Sequence, residues 1–190
     1  VYTSGINFSG NLIVSGDNVI IDGENTGSAL LETLTTTSLL SGFLDIRANN
    51  VTIRGLKIDC NTADQAVLFT PASGQCTSIT FEDCEFTGKN RWFHGVGFEG
   101  EFVMKNCLIE DFGSSGDVLH NWYLADFTTD SSANPSVKCN VTMDKCYFKN
   151  NTGSMALRGG NSTPNEFAKV TDCKFEAASM APNAWAFIEF

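Results

Sequence analysis

The side chains able to do chemistry gather in three short stretches: Arg91-Trp92-Phe93-His94, His120-Asn121-Trp122-Tyr123-Leu124-Ala125-Asp126, and Arg158. Both histidines of the chain are among them. The set suits a groove for an acidic glycan, in which the faces of Trp92 and Trp122 stack on sugar rings. Arg91 or Arg158 would pair with a uronate carboxylate, and Asp126 would add a polar contact. His94, His120 or Tyr123 would exchange a proton with a sugar carbon or a glycosidic oxygen. The competing reading is a half-buried aromatic ladder beside two solvated histidines. It weighs more, because a histidine with no identified partner is ordinarily structural.

These stretches need a scaffold, and a degenerate repeat supplies it. Four cysteines recur at one position of the repeat, in Phe81-Glu82-Asp83-Cys84-Glu85-Phe86, Met104-Lys105-Asn106-Cys107-Leu108-Ile109, Met143-Asp144-Lys145-Cys146-Tyr147-Phe148 and Val170-Thr171-Asp172-Cys173-Lys174-Phe175. Val51 to Ile58 fits the repeat with Leu56 in the cysteine column, and Val19 to Gly23 matches its first half, so six copies align. The columns Val19, Val51, Ile79, Phe102, Val141, Ala168 and Ile21, Ile53, Phe81, Met104, Met143, Val170 are apolar at every second residue, the period of a half-buried strand.

Gly23, Gly55, Asp83, Asn106, Lys145 and Asp172 follow that strand, where a corner in left-handed backbone angles favours Gly, Asn and Asp. A second short strand carries the cysteine column and the column Ile58, Phe86, Ile109, Phe148, Phe175. Successive copies are 28, 23, 39 and 27 residues apart at the cysteine column, too irregular for a rigid repeat and suited to parallel β-coils with variable insertions. Third strands are expected at Phe43 to Arg47, Ala66 to Phe69, Trp92 to Val96, Val118 to Leu124, Met155 to Arg158 and Ala184 to Ile188. The fold class is therefore all-β: a single-stranded parallel β-helix of about six coils, three short strands per coil, with internal Cys, Phe and Ile ladders.

This pattern resembles the right-handed parallel β-helix of the pectate lyase and pectin-lyase-like superfamily over roughly Leu12 to Phe190. Asn50-Val51-Thr52-Ile53 and Asn140-Val141-Thr142-Met143 carry it best. The resemblance implies a site on the outward face of one parallel sheet. It also weighs against catalysis, because the Asn-x-Asp, Asp-Asp, Gly-His-Gly and Arg-x-Lys motifs of the polygalacturonase-type hydrolases are absent. Phe93 rather than Gly precedes His94, and Gly159-Gly160 follows Arg158. Glu82-Asp83 and Glu110-Asp111 read as solvated corner residues. Asp45 and Asp126 could be the two carboxylates a glycosidase needs about 5 to 10 Å apart, though nothing in the spacing selects them.

One domain is expected over 1-190, with 1-11 as a lead-in and 128-138 as a polar, proline-containing projecting loop. With 42% hydrophobic residues and 15 Phe there is material for one core along the axis. Val1-Tyr2-Thr3-Ser4-Gly5 does not read as a signal sequence, and no run of about 18 apolar residues reads as a membrane span. Asp and Glu number 22 against 12 Lys and Arg, a net charge of -10 that disfavours nucleic acid as a partner. No cofactor is expected, except that a polyanionic glycan would need a basic patch or bridging Ca²⁺.

Cys84, Cys107, Cys146 and Cys173 read as a free thiol ladder, since stacked parallel neighbours point the same way and suit a disulfide poorly. A Cys60 to Cys76 bridge stays open. No zinc spacing occurs, and reduced cysteines point to folding in a cytoplasm. Asn50, Asn140, Asn150 and Asn161 begin Asn-x-Thr or Asn-x-Ser patterns that the β-helix itself favours at corners.

About six coils rise only roughly 29 Å, and the closing stretch Asn183 to Phe190 ends on an apolar strand whose edge expects a cover. Short acidic β-helices of this kind resemble virion components of tailed phages. The favoured expectation is a capsid decoration or cement protein acting as a rigid trimeric post, assembled in the host cytoplasm and displayed on the virion surface. Its partners would be further copies in a homotrimer, a major capsid protein or tail components, and a host-surface polysaccharide. The alternative is an extracellular or tail-spike polysaccharide lyase or glycosidase acting on an acidic glycan.

Overall fold

The computed structural model describes residues 6–8, 11–23, 32–36, 43–60, 65–69, 77–89, 91–94, 100–112, 123–126, 139–152, 154–156, 167–179 and 188–189. These residues hold strands and no helix. The chain begins with β1 (Ile6–Phe8), β2 (Leu12–Val14) and β3 (Ile20–Asp22), followed by β4 (Glu32–Thr36), β5 (Leu44–Ile46) and β6 (Val51–Arg54). Next come β7 (Leu56–Asp59), β8 (Gln65–Phe69), β9 (Thr77–Glu82), β10 (Glu85–Thr87), β11 (Arg91–His94) and β12 (Gly100–Lys105). β13 (Leu108–Glu110), β14 (Tyr123–Asp126), β15 (Cys139–Asp144), β16 (Tyr147–Thr152), β17 (Ser154–Ala156), β18 (Phe167–Thr171), β19 (Lys174–Ser179) and β20 (Ile188–Glu189) complete the series.

The chain visits three sheets in strict rotation. Sheet A runs β1-β4-β7-β10-β13-β16-β19, sheet B runs β2-β5-β8-β11-β14-β17-β20, and sheet C runs β3-β6-β9-β12-β15-β18. Each strand pairs in parallel with those three elements before and after it, the connectivity a parallel β-helix requires. One pass through the three sheets is called a rung below. The segment expected to be a lead-in contributes β1, which pairs with β4 through Ile6 and Leu34.

The register reproduces the repeat columns. Val51, Ile79, Phe102 and Val141 are successive partners, as are Ile53, Phe81, Met104 and Met143, and all eight are buried. Phe86, Ile109 and Phe148 line the core from sheet A. In the middle Trp92 lies 5.9 to 6.0 Å, centroid to centroid, from Phe86, Phe93, Phe102 and Phe148, so a large indole fills the space between rungs.

Between sheets C and A the chain turns on one left-handed residue. Gly55, Asp83, Asn106, Lys145 and Asp172 have φ from 51° to 64°. Gly23, expected to be left-handed too, is not. What it needs is the absence of a side chain, because a Cβ there would lie 2.1 Å from Leu56 Cδ2. Asn18, Asn50, Asp111 and Asn150 mark further left-handed corners. They stack between rungs through side-chain amides, Asn50 donating to Asn18 at 2.8 Å and Asn150 to Asp111 at 2.5 Å. That explains Asn50 and Asn150 without any appeal to glycosylation.

The expected third strands appear as β5, β8, β11, β14, β17 and β20. The first part of the expected Val118–Leu124 strand, the loop 128-138 and most of Ala184–Ile188 lie outside the described residues. Cys60, Cys84, Cys107, Cys146 and Cys173 are free, so Cys60 is not bridged to Cys76. Among the described residues no helix is long and apolar enough to cross a membrane.

Candidate functional site

Sheet B carries the stretches picked out by their chemistry, and its register decides which of them meet. Leu44, Val67 and Phe93 form a buried column, and the next residue along each strand gives the column Ile13, Asp45, Leu68, His94, Asp126. His94 and Asp126 are therefore direct register partners on β11 and β14. Tyr123 pairs with Ser154, and Arg91 with Gln65. His120, Trp122 and Arg158 lie outside the described residues.

Trp92 departs from expectation. It is 0% exposed, as is Phe93, because β11 leaves its corner with two consecutive residues turned inward. Ala66 and Val67 do the same on β8. A sugar cannot stack on a side chain sealed inside the core, so Trp92 holds the scaffold. Asp45 and Asp126 are also separated by three strand spacings, about 14 Å, which exceeds the span of a glycosidase carboxylate pair. Asp45 is 2% exposed and accepts from Arg47 Nε at 2.8 Å, a bond that raises the guanidinium pKa further.

The outer faces of sheets A and C use their charges between rungs. Arg54 Nε donates to Asp22 at 2.8 Å, Lys105 Nζ lies 2.9 Å from Glu82, and Lys57 lies 3.6 Å from Glu85. Lys149 pairs with Glu110, which raises the lysine pKa. Each pair joins strands adjacent in its sheet. Exposed pairs of this kind contribute little individually. Their consequence is register: charges of alternating sign hold neighbouring rungs in one alignment.

Beside that charged column, sheet C presents Ile20, Thr52, Thr80, Val103, Thr142 and Lys169 as successive partners. Thr52, Thr80, Val103 and Thr142 are half-exposed, and Ile20 is 65% exposed. Short, β-branched residues make this face flat. The sequence reading followed the inward columns and missed it. Its signal was the central Thr of Val51-Thr52-Ile53, Ile79-Thr80-Phe81 and Val141-Thr142-Met143.

No family model, curated protein or solved structure matches this chain significantly.

Proposed function

We propose that this chain is a structural virion protein: a right-handed parallel β-helix of about six coils, of the pectin-lyase-like type, standing as a trimeric post on a capsid or tail. Right-handedness follows the strong preference of parallel crossover connections. The observation that carries the reading is the flat column Ile20, Thr52, Thr80, Val103, Thr142 on sheet C. Small β-branched side chains, with Arg54 paired to Asp22 and Lys105 to Glu82 beside them, present a flat face that a second copy can cover. Ile13 and Ile20, the exposed large apolar residues among those described, extend that surface around the first rung.

The test is the mass in solution by light scattering, with reductant present. The expected result is a trimer for wild type and, for Thr80→Lys with Val103→Lys, a monomer that still melts cooperatively, at a lower midpoint because the subunit contacts are gone. A wild-type monomer at tens of micromolar would overturn the trimeric post. Mass-spectrometric detection of the chain in purified particles tests the virion setting.

A second reading, a polysaccharide lyase or glycosidase, is favoured by one feature: His94 and Asp126 are register partners in sheet B. It expects turnover of an acidic glycan that His94→Ala abolishes while the melting midpoint stays put.

A further inference from the structure

We propose that the column Cys84, Cys107, Cys146, Cys173 is a site for a soft monovalent d¹⁰ cation, Cu⁺ in a cell, held linearly between sulfurs of successive rungs.

The four cysteines repeat one local geometry. Each thiol faces the carbonyl two residues earlier, at 3.3 Å for Cys84, 3.2 Å for Cys107, 3.4 Å for Cys146 and 3.3 Å for Cys173. The residue between is left-handed in every case, Asp83, Asn106, Lys145 or Asp172, with φ of 51° to 53°. A repeated backbone and a repeated contact place the sulfurs one strand spacing apart, about 4.8 Å. Two metal–thiolate bonds of about 2.3 Å placed in line span about 4.6 Å.

Ligand number selects the ion. Among the described residues no group of three or more His, Cys, Asp or Glu is gathered as a metal cage, so tetrahedral Zn²⁺ and oxygen-seeking cations are not served. Two sulfurs per ion suit a soft cation that accepts two-coordinate thiolate ligation.

The backbone N–H of Cys146 donates to the Cys173 sulfur at 3.3 Å, and the backbones of Leu56, Cys84 and Cys107 make the equivalent contact with the next sulfur in the column. Each sulfur thus has a partner ready to stabilise a thiolate.

On binding, the cation takes the place of two thiol protons. Two thiols and M⁺ give one linear RS–M–SR⁻ unit and two released protons, with no electron transferred. Cys173 is half-exposed, whereas Cys84, Cys107 and Cys146 are buried, so loading begins at the Cys146 and Cys173 end.

The experiment is an Ag⁺ titration of the full chain with Cys60→Ala, Cys76→Ser and Cys139→Ser, in the presence of excess imidazole. Native mass spectrometry counts the ions, and X-ray absorption reports their ligands. The expected result is at least one retained ion with two sulfur ligands in line, and at least one ion fewer in Cys173→Ser, whose half-exposed position tolerates the change. No retained ion in a folded protein would overturn the proposal. So would an unchanged count in both Cys173→Ser and Cys107→Ala. Wild type against Cys173→Ser alone gives the same comparison if the triple variant fails to fold.

Discussion

The backbone N–H of Phe112 donates to Oδ1 of Asn151 at 3.0 Å, across 39 residues of sequence. The same side chain donates through Nδ2 to the carbonyl of Ile109 at 2.8 Å and is 4% exposed. Asn151 lies where β16 slips register against β19, just after the left-handed Asn150. Its amide therefore stands in for a strand at the Phe112 N–H and adds a bond to the Ile109 carbonyl beside the irregularity.

Replacing Asn151 with Ala would leave the Phe112 N–H buried and unpaired, an expected loss of about 1–3 kcal/mol. Asn151→Asp keeps the acceptor for Phe112 but sets a carboxylate against the Ile109 carbonyl, and loses at least as much. Urea unfolding checks this through the midpoint at unchanged slope. A loss below about 0.5 kcal/mol for Asn151→Ala would show that the amide is dispensable.

Trp92 sets two effects against each other. Its indole fills the centre of the core, yet Nε1 is buried with no hydrogen-bond partner. Trp92→Ala opens a cavity and should lose about 3–5 kcal/mol. Trp92→Phe opens a smaller one and removes a stranded donor that costs about 1–3 kcal/mol, so its net change should stay within about 1 kcal/mol. Thermal and urea melts of both variants test the pair. A Phe variant as damaged as the Ala variant would mean that neither the smaller cavity nor the removed donor offsets the loss of the indole.

These positions also show where the sequence could be read. The inward columns Val51, Ile79, Phe102, Val141 and Ile53, Phe81, Met104, Met143 were legible because burial on one sheet face forces a period of two. The left-handed corners were legible at Gly55, Asp83 and Asn106 from residue type. Trp92 was not, because strict alternation fails where β11 leaves its corner and two neighbours both turn inward. The partnership of His94 with Asp126 was out of reach as well, since it depends on the register of strands joined by insertions of variable length. The flat face on sheet C went unread because threonine and valine announce no chemistry until their columns are stacked.

Lys145 occupies the corner that Gly, Asn or Asp fills elsewhere, at φ 53° and exposed. A side chain with Cβ and no local hydrogen bond pays roughly 1–2 kcal/mol in that region, and Asn less. Asn106, the equivalent corner one rung earlier, already donates to Asp83 at 3.2 Å. Lys145→Asn should therefore raise stability by about 0.5–1 kcal/mol, or a few degrees in the melting midpoint. Lys145→Ala retains the Cβ and should leave the midpoint nearly unchanged. Equal gains from both would point to removal of the charge, not relief of the backbone.

Tyr147, Lys174 and Glu176 form a chain of contacts on the outer face of sheet A. Tyr147 donates to Glu176 at 2.5 Å, Lys174 donates to the Tyr147 hydroxyl at 3.1 Å, and Lys174 Nζ lies 3.1 Å from Glu176. The Tyr147 bond, then Lys174, hold the Glu176 pKa below its ordinary value. The Tyr147 bond, then Glu176, raise that of Lys174. A depressed carboxylate stabilises the fold above its unfolded value of about 4.3, and that contribution is lost as pH falls through the folded value. A raised lysine contributes fully below about 10.4 and loses it as pH rises through the folded value. Both act together near neutral pH. Tyr147→Phe should raise the Glu176 pKa and lower that of Lys174, each read by NMR titration. Because the groups face solvent, the shifts should shrink as salt is added. A Glu176 titration unmoved by Tyr147→Phe would assign its depression to the neighbouring lysines, Lys174 first and then Lys149.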